Sequence, residues 1–401
     1  MPHTIDSMAT RVRSYSKINL GLAIGPMRTD GFHGLTTLYQ TLDLHDLVTV
    51  TARMASGSAT RISLTTNDAR VPTDGRNTVW KMVERCLERL DLSAEVEIHI
   101  EKNLPVQGGM GAGSANAAAA LIGLERELGV ALSGVERLKL AAEVGSDVPL
   151  FLIGGAVMGL GRGEQVVPMA DFPRTWCVVA VPEVGVSTPA AFRDWDALVA
   201  GTSGAKAPLS EGSSGTAEAM PLTRQEDKAG LTSVDKPDRL SELSLAYASL
   251  SAQSGISLGK TDDGKPGTSG IVRDANSEKK QGLSGESQSN AMNDLAENTL
   301  LALVRTGIGS DGLHNDFEDV VFPQYPSLRI TKRQLMGNET GASGSPAIYA
   351  ALSGSGSALF GLYRSEADAK AAQQRVQNSG VKAFITETLP RDEYWARMFA
   401  G

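Results

Sequence analysis

Three stretches of this sequence carry residue types suited to handling phosphates and alcohols. The first is LPVQGGMGAGSANAAAAL, residues 104–121, in which Gly108, Gly109, Gly111 and Gly113 lead into an alanine-rich helix former. Backbone amides bared by glycine at the mouth of a helix favour anions, because the first four N–H groups lack partners and the dipole is positive there. The plain alternative is a flexible loop that only packs. The second is AAEVGSDVPLFLIGGAVMGLGRGE, residues 141–164, where Asp147 follows a Gly-Ser turn and precedes an apolar run. It reads as a turn or cap aspartate, or as a carboxylate held against a substrate hydroxyl as general base. The third is ALSGSGSALFGLY, residues 351–363, a small-residue turn that is either a tight turn or a second backbone wall facing the first loop.

Known phosphate motifs are tested directly. A Walker A loop requires a lysine after its last glycine, but Gly113 is followed by Ser114, so that reading fails. A dinucleotide G-x-G-x-x-G fails as well, since Gly109 and Gly111 are followed by Ser114 where the third glycine belongs. Lys17 lies within an apolar strand pattern of Ile18, Leu20, Leu22 and Ile24. Taken locally, such a lysine reads as a solvated edge residue. Phe32 and His33 sit in the polar turn RTDGFHGL, where a planar ring could stack on Phe32 while His33 makes a hydrogen bond.

The elements that must position these residues are legible from periodicity. Residues 94–100 alternate Val96, Ile98 and Ile100 with polar residues and read as a half-buried strand. Ser114 to Leu128 reads as a helix with an apolar side at Ala117, Leu121, Leu124 and Leu128. The order is strand, glycine loop, helix. A helix is expected at 295–304, a strand at 357–363 and a helix at 366–377. Between 201 and 290, Gly and Ser supply 28 of 90 residues and Tyr247 is the only aromatic, so this insert is expected to be largely disordered. Leu240, Leu243, Tyr247 and Leu250 within it have helical spacing and suit a short docked helix.

The whole chain bounds the function. Its 401 residues carry 38 Lys and Arg against 46 Asp and Glu, a net charge of −8 that argues against a nucleic-acid binder. Cys86 and Cys177 are the only cysteines, which gives neither a disulfide framework nor a zinc set and suits a cytoplasmic protein. The longest apolar run, 148–160, is broken by glycines and too short to span a bilayer, so no membrane partner is expected.

Taken together and in this order, the motifs resemble those of the GHMP kinases: an N-terminal strand motif (SKINLGL), a central glycine loop (PVQGGMGAGSAN) and a C-terminal glycine turn (LSGSGSALF). Within that superfamily, Arg28 to His33, Pro105 to Ala117 and Gly145 to Pro149 resemble the branch that phosphorylates a CDP-linked methylerythritol for isoprenoid synthesis by the non-mevalonate route. The sequence departs from that branch at Ser16, Gln107, Met110, Ala112 and Ala115. The resemblance implies an α+β, two-lobed fold, with a ribosomal protein S5 domain 2-like N-terminal lobe (10–170), an α/β C-terminal lobe (171–200 and 291–401) and the insert at 201–290. It further implies Lys17 and Asp147 as catalytic residues, ATP as phosphoryl donor with Mg²⁺, and a small-molecule substrate held by Asn19, Phe32, His33 and Phe192. The ATP site would be Pro105, Val106, Gln107, Gly108, Gly109, Met110, Gly111, Ala112, Gly113, Ser114 and Ala115. Two alternatives stand beside it: a homoserine or mevalonate type of kinase, and a non-catalytic ligand-binding member.

Overall fold

A computed structural model describes residues 9–57, 59–106, 108–204, 313–338 and 344–401. The docked helix expected near Leu240–Leu250, the helix expected at 295–304 and Gln107 of the glycine loop lie outside these residues.

The fold is built on one long hairpin. Strands β1 (Thr10–Met27) and β2 (His33–Met54) pair antiparallel over nearly their full length, with register shifts between Tyr15 and Lys17, between Asn19 and Gly21, and between Ile24 and Met27. From Tyr15 to Ile24 every residue of β1 is buried. A strand buried on both faces reads as a continuous apolar run rather than an alternating one. Along its length β1 meets three cores: Val12 and Tyr15 in the first, Ile18 and Leu20 in the second, Leu22 and Ile24 in the third.

β3 (Arg61–Thr66) runs parallel to β4 (Ala94–Glu101), and β4 pairs with the second half of β2. β5 (Ala156–Leu160) pairs with the first half of β2, from Thr37 to Gln40, and then with β6 (Gln165–Pro168). Between these two stretches β2 is bridged only at Leu42, which pairs antiparallel with Thr388, while Thr41 N donates to the Gly155 carbonyl and Leu389 N to the Thr41 carbonyl. Helices α1 (Thr78–Leu90), α2 (Ala112–Leu128) and α3 (Gly134–Val144) cover the sheet. The alanines of α2 let it lie close on β1 and β2, while Leu121 and Leu124, fully buried, add about 1.5–3 kcal/mol each.

A second sheet holds β7 (Trp176–Val181) between β10 (Lys382–Glu387) and β9 (Leu359–Tyr363), with β8 (Tyr349–Leu352) at the edge, all antiparallel. One of its faces packs Val179, Phe360 and Leu362 against Ile18, Leu20, Leu38 and Leu42 of the hairpin. The other is covered by α5 (Glu318–Gln324), α6 (Pro326–Met336) and α7 (Glu366–Asn378). Helix α4 (Thr188–Gly204) follows β7. After α8 (Arg391–Ala396) the chain returns to the first sheet, where β11 (Phe399–Ala400) pairs with β1. No described helix is long and apolar enough to cross a membrane.

Candidate functional site

Lys17 is 3% exposed, so the solvated-edge reading that its local pattern favours is overturned. Its strand is covered on both faces by parts of the chain distant in sequence, which a local pattern does not register. An ammonium buried this deeply needs partners. Lys17 Nζ donates to Asn19 Oδ1 at 2.7 Å and lies 3.2 Å from Asp147 Oδ2. Asn19 is held in turn, its Nδ2 donating to Thr37 Oγ1 at 2.7 Å, and the Thr37 hydroxyl donates to the Gly21 carbonyl at 2.9 Å. The Tyr39 hydroxyl donates to the other Asp147 oxygen at 3.0 Å. Burial, reinforced by the Asp147 charge, pushes the Tyr39 phenol well above its usual range, so it stays a donor. Lys17, Asn19 and Tyr39 thus fix Asp147, whose side chain keeps about a third of its surface open.

The glycine loop closes over this group. Lys17 N donates to the Met110 carbonyl at 3.1 Å. A methyl group added at Gly111 would stand 3.1 Å from Lys17 Cγ and 2.8 Å from the Phe151 ring, and Gly111 has φ +70°. Gly111 is also the N-cap of α2 and provides no side-chain cap, whereas Asn77 and Ser133 cap α1 and α3. The first amides of α2 therefore face a cleft of about 460 Å³, lined by the loop, Arg70, Arg76, Thr78 and Lys102. Pro105, Val106, Gly108, Gly109, Met110, Ala112, Gly113 and Ser114 line it as well, while Ala115 is buried behind them.

The C-terminal glycine turn abuts the loop. Ser353 Oγ donates to the Gly109 carbonyl at 3.1 Å, and Ala358 N donates to the Gly108 carbonyl at 3.1 Å. A methyl carbon at Gly354 would lie 3.7 Å from Lys17 Nζ.

A second cleft, of about 410 Å³, is lined by Phe32, His33, Ser146, Arg162, Phe192 and Asp196 among others. The sequence places Phe32 and His33 side by side, yet they part company. Phe32 is 52% exposed in the turn, and His33 is 7% exposed at the start of β2. His33 stacks on Phe192 of α4 with centroids 5.1 Å apart and planes 7° apart. Its Nδ1 lies 3.0 Å from the Gly25 carbonyl, so Nδ1 is the donor there, and its Nε2 lies 3.2 Å from Asp196 Oδ1. Both ring nitrogens face protein groups, and Arg162 lies over Phe32 with its guanidinium carbon 5.0 Å from the ring centroid.

Sequence reasoning passed over a buried polar cluster beneath the loop. Lys102 Nζ pairs with Asp46, which is fully buried, and Asp46 Oδ1 accepts from the amides of Asn103 and Leu104 at 2.7 Å each. Asn116 of α2 joins it through Nδ2 to Asp46 Oδ2 at 2.9 Å and to Ser14 Oγ at 2.8 Å. The signal was an aspartate inside the run LHDLVTV with a lysine just past strand β4. The cysteines take no part: burial pushes the Cys86 thiol up to about 12 and raises that of Cys177 further.

Two family models match this chain, GHMP kinases N terminal domain over residues 77–155 and GHMP kinases C terminal over 292–382. A 4-diphosphocytidyl-2-C-methyl-D-erythritol kinase of Corynebacterium efficiens is 38% identical over 244 residues, covering 58% of this chain and 76% of that relative. The chain belongs to the GHMP kinases. A kinase with the same name from Rhodococcus jostii is 44% identical over 188 residues, 47% of this GHMP kinase and 59% of the relative. The chain thus spans about three fifths of the length of that relative. The crystal structure of a 4-(cytidine 5'-diphospho)-2C-methyl-D-erythritol kinase superposes with a TM-score of 0.56 at 20% identity, covering 94% of this GHMP kinase and 99% of the other chain. A homoserine kinase from Cytophaga hutchinsonii gives the same TM-score, 0.56, at 18% identity and 98% coverage of both chains. The likeness in shape therefore supports the fold and does not choose an acceptor.

Proposed function

We propose that this GHMP kinase transfers the γ-phosphate of ATP to the 2-hydroxyl of 4-(cytidine 5'-diphospho)-2-C-methyl-D-erythritol, as the names of its relatives indicate for them. One observation carries the reading. It is the Lys17–Asp147 pair, which has neighbours in both clefts: Gly111 of the glycine-loop cleft leaves no room for a methyl group beside Lys17 Cγ, and Ser146, next to Asp147 in sequence, lines the Phe32–Phe192 cleft.

Phosphoryl transfer asks mainly for positioning and for cations and amides near the phosphoryl oxygens. In this reading the glycines let the backbone approach the triphosphate, and the α2 amides and Ser114 contact it. Asp147, oriented by Tyr39, accepts the proton of the acceptor hydroxyl as that oxygen bonds to phosphorus and ADP leaves. Lys17 offsets the negative charge on the transferring group, and Asn19 fixes the lysine. The acceptor's base enters the cleft of Phe32 and Phe192, with His33 behind Phe192. A phenyl ring that is half exposed in a polar turn suits such a shelf.

Mg²⁺ accompanies ATP in such chemistry. Among the described residues no group of three or more His, Cys, Asp or Glu side chains is placed to hold a metal. The described residues therefore fit a Mg²⁺ that arrives on the phosphates and needs few protein oxygens. The same reading divides the chain into lobes at 10–170 and at 171–200 with 291–401, and treats 201–290 as an insert. It places the kinase in the cytoplasm, where its two free buried thiols would stay reduced.

The test is ADP release from ATP with the CDP-linked methylerythritol, with homoserine and with mevalonate. Release with the first alone is expected. Release with homoserine but not with the CDP-linked alcohol would overturn the acceptor assignment.

A further inference from the structure

We infer that Arg162 is the diphosphate-binding and specificity-determining residue of the acceptor cleft, a reading that rests on the nucleoside-diphosphate acceptor proposed above. Arg162 lies in the turn between β5 and β6. Its carbonyl-side neighbour, Gly163, touches the catalytic group: a methyl carbon there would stand 2.6 Å from the Tyr39 hydroxyl and 3.9 Å from Asp147 Oδ1. On its other side the Arg162 guanidinium reaches Phe32, 5.0 Å from the ring centroid. The residues therefore run in the order Phe32, Arg162, Asp147. A cytidine-diphosphate-linked alcohol has the matching order of base, diphosphate and hydroxyl.

The guanidinium is available for this work. Most buried or half-buried arginines here are committed: Arg174 to Asp43, Glu387 and Glu393, Arg137 to Glu125, and Arg391 to the carbonyls of Gly154, Ala156 and Met169. Arg162 makes no guanidinium hydrogen bond among the described residues. Glu164 accepts from its backbone N at 2.6 Å, and the nearest Glu164 oxygen is 3.8 Å from Nε, beyond hydrogen-bond reach. The carboxylate that lines this cleft, Asp196, faces His33. A guanidinium beside a cleft whose N–H donors make no hydrogen bond among the described residues, held only by a 3.8 Å ion pair to Glu164 and the Phe32 ring, suits the oxygens of a diphosphate, which accept two parallel hydrogen bonds from one guanidinium. Homoserine and mevalonate carry no diphosphate, so this contact would favour the nucleotide-linked acceptor over them.

The experiment measures calorimetric binding of CDP and of cytidine to the full-length kinase and to its Arg162→Ala and Arg162→Lys variants. Thermal melting of each protein checks folding. The wild type is expected to bind CDP about ten- to a hundredfold tighter than cytidine, the span of a charge-assisted bidentate contact. Arg162→Ala should lose most of that preference while its cytidine affinity stays close to wild type, and Arg162→Lys should recover only part of it. If Arg162→Ala keeps the full preference for CDP, the inference about Arg162 fails and the acceptor assignment stands. If the wild type binds neither ligand, the cytosine-diphosphate reading of the cleft fails, and this inference with it.

Discussion

Lys17 Nζ lies 3.2 Å from Asp147 Oδ2, and the two residues reach each other across 130 positions of chain, from a strand buried on both faces and from a turn at the rim of a cleft. The geometry makes Asp147 the only partly open member of a buried polar group, with one oxygen facing an ammonium and the other a phenol. Asp147→Asn keeps the shape and removes the base. It is expected to lower turnover about 10²–10⁴-fold. ATP affinity, read by calorimetry, should change little. A variant that keeps more than a tenth of wild-type turnover would remove Asp147 from the role of base.

Lys17→Met should be more damaging to the fold than a surface lysine substitution, because it leaves Asn19 Oδ1 and Asp147 without their cation. Breaking a buried pair by removing one partner costs about 3–5 kcal/mol; the partial exposure of Asp147 puts the expected loss at or below the lower end. Turnover should fall at least a hundredfold as the charge on the transferring group goes unbalanced. Denaturant unfolding and single-turnover rates measured together separate the two effects. Unchanged single-turnover chemistry in a destabilised variant would leave Lys17 a purely structural residue.

Tyr39→Phe tests how Asp147 is aimed. Because burial and the Asp147 charge raise the Tyr39 phenol well above the usual tyrosine range, the folded protein holds this proton where an unfolded chain would release it. Stability linked to Tyr39 is therefore present below about pH 10 and is lost as pH rises beyond it. No step in kcat between pH 7 and 9.5 should come from this group. The variant is expected to lose about tenfold in kcat, the value of one hydrogen bond to a charged group, with a pH profile that superimposes on the parent's. An alkaline limb present in the parent and absent from the variant would show that Tyr39 titrates during turnover.

The strands, the glycine loop and the helix after it could be read in the sequence because their signals are local. Val96, Ile98 and Ile100 alternate along β4, and the alanines of α2 follow directly on glycines. Lys17 could not be read from its neighbours alone, since what buries it arrives from the second sheet and from the loop at Met110. Its pairing with Asp147 was legible only as a resemblance of motifs. The Asp46–Lys102–Asn116 cluster went unseen for a related reason: each member looks like an ordinary surface residue, and only the crossing of β2, the loop and α2 joins them. Nothing local sets Arg162 apart, because a guanidinium that makes no hydrogen bond and one fully bonded by tertiary structure look alike in sequence.

Phe32 and Phe192 line one cleft from two elements, a turn and α4. Phe32→Ala should raise KM for the CDP-linked acceptor by an amount matching about 1–3 kcal/mol, the value of a base–aromatic stack. KM for ATP should move far less. Phe192→Ala should do the same and also loosen His33, which stacks on it. Steady-state kinetics with each substrate varied in turn checks both. A rise confined to the KM for ATP would mean that the two clefts have been assigned the wrong way round.

Gly109 joins the two glycine turns, and its substitution tests whether that junction forms the nucleotide site. Gly109 has φ +74°, and a methyl carbon there would stand 2.2 Å from the Ser353 carbonyl oxygen and 3.1 Å from that of Gly356. Both obstacles are backbone, so the turn itself must move. An alanine held in the left-handed region adds about 1–2 kcal/mol of its own. Gly109→Ala is therefore expected to lower the Tm by several degrees and to raise KM for ATP about tenfold or more, with a smaller effect on KM for the acceptor. Gly113→Ala is the matched control for stability. Gly113 lies in α2 without a positive φ, and the nearest atom to an added methyl is Thr78 Oγ1 at 3.6 Å, an ordinary contact. Replacing a helical glycine by alanine there should stabilise the fold by about 0.5–1 kcal/mol. Differential scanning calorimetry of both variants beside ATP kinetics of the first gives the result. Equal melting temperatures for the two variants, or a Gly109→Ala enzyme with wild-type KM for ATP, would mean that contact between the turns is not what shapes the phosphate-binding backbone.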